Sequence, residues 1–230
     1  MSLTTGRGPL SGSPAGRFST PVPHGVVYVE PFQRRVRAMV DGAAVVDSER
    51  VLLVHRPGEP PVYAFPADEA LGMTSIPVPE APGYVTVGWD AADAWYEEDE
   101  EIRGHPRNPY HRIDCLSTHR HLVVALGERI LVDTTDTIAL YETGLEPRLY
   151  VHPQHVTTAR MVTSERITFC PYKGQATYWS AEVDDALVAD VAWSYEDPSP
   201  ESSAIKGMLS FDESRLNVAT DLPEPVQPAP

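Results

Sequence analysis

The sequence predicts an all-β protein made of two tandem, homologous small β domains with few short helices. Three observations carry that expectation. Short β-branched and aromatic runs recur along the chain, separated by Gly and Pro turns at close intervals, which is the pattern of antiparallel sheet. With 23 prolines and 15 glycines in 230 residues, long helices are excluded, because proline removes a backbone donor and clashes with the preceding turn. One pattern of strands and turns also occurs twice.

In chain order, residues 1–24 are rich in Gly, Ser, Thr and Pro and lack an apolar h-region, so they read as a disordered leader rather than a secretory signal. The first copy, residues 25–104, runs through Val36-Arg37-Ala38-Met39-Val40, turns at Asp41-Gly42 and returns through Ala43-Ala44-Val45-Val46-Asp47. Glycine supplies the positive φ that a tight hairpin needs. Val51-Leu52-Leu53-Val54 and the aromatic strand Val62-Tyr63-Ala64-Phe65 follow, and the acidic run Glu97 to Glu101 reads as a solvated face or turn. Residues 105–115 link the copies. The second copy, residues 116–216, repeats the order: a hairpin from His121 to Asp133 about Gly127, then Ile138-Ala139-Leu140-Tyr141, then Arg148-Leu149-Tyr150-Val151. Ser199-Pro200-Glu201-Ser202 is a helix start, with serine at the cap and proline at the first position. Residues 217–230 alternate prolines and read as an extended tail with no core.

The net charge of −15 opposes non-specific binding to nucleic acid or to an anionic membrane surface, both of which attract positive charge. No apolar run approaches the ~20 residues of a membrane span. Two cysteines are too few for a disulfide framework, so a reduced, cytoplasmic protein is expected. An internal duplication implies a monomer with pseudo-twofold symmetry or a weak homodimer.

The copies are unequal. Between its aromatic strand and its tryptophan, the second carries Cys170-Pro171-Tyr172-Lys173-Gly174 followed by Tyr178-Trp179-Ser180; the first has Met73 to Val87 there, with neither cysteine nor lysine. The chain holds two lysines and two cysteines in all, and one of each lies in this segment. Chemistry is therefore expected in the second copy.

These residues, together with Tyr141-Glu142-Thr143-Gly144-Leu145-Glu146-Pro147-Arg148-Leu149-Tyr150, Ala192-Trp193-Ser194-Tyr195 and the linker His105 to Asp114, resemble the bacterial and fungal "domain of unknown function 427" family. The resemblance covers about residues 30 to 215. It implies a small all-β domain of the tent (Mss-four-like) type. The family carries a nucleotidyltransferase-like label, but the chain shows neither a Gly-Ser followed by paired carboxylates nor a glycine-rich phosphate loop. It also lacks a CxxC pair for a zinc of the kind some tent relatives hold.

The candidate catalytic residues are Glu142, Lys173 and Cys170. Lys173 is either a cation aimed into a cleft or a turn lysine in water. Cys170 is either a nucleophile activated by His152, His155 or Lys173, or a buried structural thiol. Glu142 lies in an otherwise apolar strand and needs a partner, because an unpaired buried charge is costly; partners in the same copy include Arg148, Lys173 and Arg120, and the carboxylate is either a general base or half of a structural ion pair. Candidate ligand-binding residues are Arg148, Arg120, Tyr150, Tyr172, Tyr178, Trp179, Trp193 and Tyr195, which supply charge and aromatic walls. His119 and His121, with His152, His155 and Glu142, form a weaker metal alternative; no metal and no cofactor are expected. The expected partner is a small organic molecule, bound or turned over by cofactor-independent acid–base or hydrolytic chemistry. The alternative is an interaction module built on an aromatic cage.

Overall fold

The computed structural model describes residues 3–157, 161–183 and 186–226, and the chain is all-β as the turn spacing predicts. It divides into two compact units, Met1–His111 and Arg112–Val226, with the division inside the segment expected to be a linker.

The first unit contains β1 (Tyr28–Phe32), β2 (Val36–Val40), β3 (Ala43–Ser48), β4 (Val51–His55), β5 (Val62–Pro66), β6 (Ser75–Pro77), β7 (Tyr84–Val87), β8 (Ala94–Glu97) and β9 (Glu100–Ile102). They form one sheet in the order β1-β4-β5-β7-β6 and another in the order β3-β2-β8-β9. The β2–β3 turn has positive φ at both Asp41 (50°) and Gly42 (76°), the mirror-image turn whose twist matches the flanking strands. Val36, Leu53, Phe65 and Trp95 fill the core.

Two expectations for this unit need correction. The leader is not free of contacts: Thr4 is fully buried, its hydroxyl donates to the Glu59 carbonyl, and its own carbonyl accepts from the Gly58 N–H. Composition does not reveal such backbone pairing. Glu97 is not solvated but 4% exposed, accepting hydrogen bonds from the Tyr63 hydroxyl and the Arg34 guanidinium. The alternation of β8 places it on the face of Trp95, so burial forces it to find partners.

The second unit contains β10 (Ile113–Thr118), β11 (Leu122–Leu126), β12 (Arg129–Thr134), β13 (Thr137–Glu142), β14 (Arg148–Val151), β15 (Met161–Cys170), β16 (Gly174–Val183), β17 (Ala186–Tyr195), β18 (Leu209–Phe211) and β19 (Asn217–Thr220). A seven-stranded sheet runs β10-β13-β14-β18-β17-β16-β15, and a three-stranded sheet runs β12-β11-β19. Residues 217–220, assigned from composition to the tail, are β19, which pairs with Leu122 to Ala125 of β11. A 3-10 helix covers Pro200–Ile205 behind Ser199, at the place the serine–proline signal marks.

The seven-stranded sheet has two unlike faces, sorted by the two-residue period of its strands. Ala139, Leu149, Val151, Ala181 and Ala192 face one core together with Leu122, Val124 and Leu131 of the smaller sheet. Leu140, Tyr150, Ala176 and Tyr195 face the other way, into a second cluster with Ile113 and Ile205. The second face carries the candidate site.

Candidate functional site

Strand alternation assembles the site. Glu142 lies two residues beyond Leu140, Arg148 two before Tyr150, Tyr178 two beyond Ala176 and Tyr195 two beyond Trp193, so each pair shares the second face. All of these except Ala176 line a cavity of about 530 Å3, within the size range of small-molecule sites.

Lys173 reaches this cavity from the β15–β16 turn. Gly174 follows it at φ +95°, a conformation that L residues rarely adopt. The turn is tied down by Ser199, whose N–H donates to the Lys173 carbonyl at 3.1 Å and whose hydroxyl donates to the Tyr172 carbonyl. Ser199 thus spends its side chain on this turn rather than on capping its own helix. Lys173 is 7% exposed and Glu142 8% exposed, and the ammonium donates to the carboxylate Oε2. Lys173 is therefore buried against Glu142 rather than standing in water.

Two buried phenols and an indole surround the pair. Tyr150 is 1% exposed, and the Trp193 Nε1–H donates to its hydroxyl at 3.1 Å. Burial pushes the Tyr150 phenol above its ordinary range, the Trp193 hydrogen bond opposing the rise. Burial raises the Tyr195 phenol as well, with Tyr150, Cys170 and Glu142 adding to it. Both hydroxyls therefore remain protonated near neutral pH. The Tyr195 hydroxyl has no hydrogen-bond partner among the described residues. Tyr150→Phe leaves the Trp193 N–H without its acceptor and is expected to cost about 1–2 kcal/mol of stability, measured by chemical denaturation.

Not every candidate joins the site. Trp179 directly follows Tyr178 on β16 and so takes the opposite face; it packs against the other core, its Nε1–H donating to the Ser194 hydroxyl at 3.4 Å. Arg120 lies away from the cavity, its Nη1 donating to the Asp221 carbonyl. Cys170 and Tyr172 pack against the cluster behind the cavity without lining it, as does Cys115. Both thiols are free, and burial raises that of Cys115 while Lys173 opposes the rise. Three of the four candidate histidines pair locally: His121 with Asp133 at 2.7 Å and His155 with Asp136 at 3.0 Å, while His152 Nδ1 accepts the Gln154 N–H. Among the described residues, no three His, Cys, Asp or Glu side chains form a metal-holding group.

The structure adds residues that the sequence did not single out. Arg166 lines the cavity with its guanidinium carbon 4.4 Å from the Tyr178 ring centroid. Leu145, 55% exposed, forms part of the rim. In the first unit, His55 is fully buried, its Nε2 lies 2.9 Å from Glu30 Oε1, and the Tyr110 hydroxyl donates to Glu30 Oε2 at 2.6 Å. His55 and Glu30 lie in the first copy, outside the one where chemistry is expected, and Tyr110 reaches them from the expected linker.

Residues 114–222 match the model of the family described as "Domain of unknown function (DUF427)". None of the curated proteins matches the chain. No helix among the described residues is long and apolar enough to cross a membrane.

Proposed function

We propose that the second unit binds a small organic molecule in the cleft that Lys173, Glu142, Tyr150, Trp193 and Tyr195 line. The supporting observation is the convergence of a buried ion pair and an unpartnered buried phenol on one cavity of about 530 Å3. Buried charges are costly unless paired, and few such groups collect on one concave surface for packing alone. The convergence of polar groups also separates this site from a bare aromatic cage. In its enzymatic form, the proposal makes Glu142 and Lys173 a proton-transfer pair, one accepting and one donating, with no cofactor.

The two units are further proposed to be copies of one tent-type ancestor, which supports placing the site in the copy with the Cys-Pro-Tyr-Lys-Gly turn. Their early strands pair alike: Tyr28 opposes His55 at the start of β1, and Ile113 opposes Glu142 at the start of β10.

A thermal-shift screen of the wild type and Leu145→Trp against a small-molecule library tests the proposed cleft. Leu145 is exposed at the rim, so a larger side chain there obstructs the cavity without entering the core. A ligand at a hundredfold excess over its Kd stabilises the wild type by about 2.7 kcal/mol, and the shift is expected to vanish in Leu145→Trp. Hits that persist unchanged in that variant would place binding elsewhere, and an empty screen would count against a small-molecule site.

A further inference from the structure

The cleft's own hydrogen bonding indicates what it accepts. Its carboxylates already hold donors: Glu142 takes the Lys173 ammonium, and Asp212 takes the Ser214 N–H at 2.9 Å and the Ser214 hydroxyl at 2.6 Å, with Arg215 Nε 3.4 Å away. Glu146, which also lines the cavity, is engaged as well. Its donors are not exhausted. Arg148 is held over the Trp193 ring at 5.1 Å and Arg166 over the Tyr178 ring at 4.4 Å. Among the described residues, each guanidinium spends only Nη1 on acceptors, and at long range: Arg148 on Glu213 at 3.4 Å and the Phe211 carbonyl at 3.5 Å, Arg166 on Asp190 at 3.3 Å. The Tyr195 hydroxyl is unpartnered. Unfilled capacity at this site is therefore donor capacity, and it is cationic.

Resting on the cleft proposed above, we infer that the ligand is a small aromatic carboxylate, its carboxylate taken by Arg148, Arg166 and the Tyr195 hydroxyl and its ring by Tyr150 and Leu140. The planar fork of arginine matches a carboxylate bidentately, and stacking on an aromatic ring fixes the guanidinium before the ligand arrives, which lowers the entropy lost on binding. The raised phenol pKa of Tyr195 keeps its proton available for donation at neutral pH.

The test uses the full chain and matched sets of probes: benzoate, phenylacetate and indole-3-acetate, each with its neutral amide and its amine counterpart. Isothermal titration is expected to give carboxylates binding at least about tenfold tighter than their amides, the difference that a charge-assisted hydrogen bond supplies. Amines should bind weakest, and carboxylate affinity should fall with added salt. Arg166→Gln should bring carboxylate affinity down to that of the amide while leaving the amide unchanged, and Arg166→Lys should recover part of the loss. Amides or amines binding as tightly as carboxylates, with binding still lost in Leu145→Trp, would overturn the carboxylate inference and leave the cleft in place. Failure of every carboxylate to bind would also overturn it, whereas the cleft itself fails if the broad library screen is empty or if its hits persist unchanged in Leu145→Trp.

Discussion

Lys173→Ala is expected to lower the stability of the second unit by about 3–5 kcal/mol, the cost of leaving one charge of a buried pair uncompensated. The alanine itself fits the turn; the loss comes from Glu142, which stays on the inward face of β13 at 8% exposure without its ammonium. Glu142→Ala is expected to fall in the same range for the mirror reason. The double variant Lys173→Met with Glu142→Leu removes both charges and keeps apolar bulk, so most of the lost stability should return. Urea denaturation of these proteins, with hydrogen exchange in β13 and β16 reporting the second unit, reads the losses and the recovery, and adding the double variant Lys173→Ala with Glu142→Ala closes the cycle that gives the coupling between the two positions. A loss below about 1 kcal/mol in the single variants, the size typical of an exposed pair, would show that water reaches both groups and that the pair does not organise the cleft.

Gly174→Ala is expected to cost about 2–3 kcal/mol. The left-handed backbone costs an L residue about 1–2 kcal/mol by itself. A Cβ at this position would also lie 3.2 Å from the Asp197 carbonyl oxygen, which belongs to backbone and cannot swing aside. Gly127 supplies the comparison: its φ is +61° with open space around the Cβ position, so Gly127→Ala should cost only the conformational part, about 1–2 kcal/mol. The two losses, read from denaturation midpoints, separate strain from contact. Equal losses would mean that the Ser199 segment yields to the new methyl group, and that the Lys173 turn is held less firmly than its hydrogen bonds indicate.

Much of this site is legible in the sequence, for identifiable reasons. Lys173 stands out because the chain holds only two lysines, and Glu142 because a carboxylate ends an apolar strand. Strand alternation then places Leu140 with Glu142 and Arg148 with Tyr150 on one face. The same rule, applied to Tyr178 and Trp179, shows that only one of two consecutive strand residues can face the cavity, so a site built on both is excluded by geometry alone. Arg166 was not legible, because it lies where the β15–β16 register shifts between Thr163 and Ile167; a bulge breaks the period on which pattern reasoning rests. Nor was the pairing of His55 with Glu30, which depends on the register of β1 against β4 rather than on any local signature. The strand at 217–220 was hidden by the prolines that follow it, since its stability comes from pairing with β11 and not from its own composition.

The most direct measurement is the fluorine NMR spectrum of the protein labelled with 5-fluorotryptophan. The chain has four tryptophans: Trp89 and Trp95 stack in the first unit, Trp179 packs on the far face of the large sheet, and Trp193 lines the cleft. With each resonance assigned by its Trp→Phe variant, addition of a ligand found by thermal shift should move the Trp193 signal and leave the other three in place. Shifts confined to Trp89 and Trp95, or an unmoved Trp193 at saturating ligand, would contradict a binding cleft in the second unit.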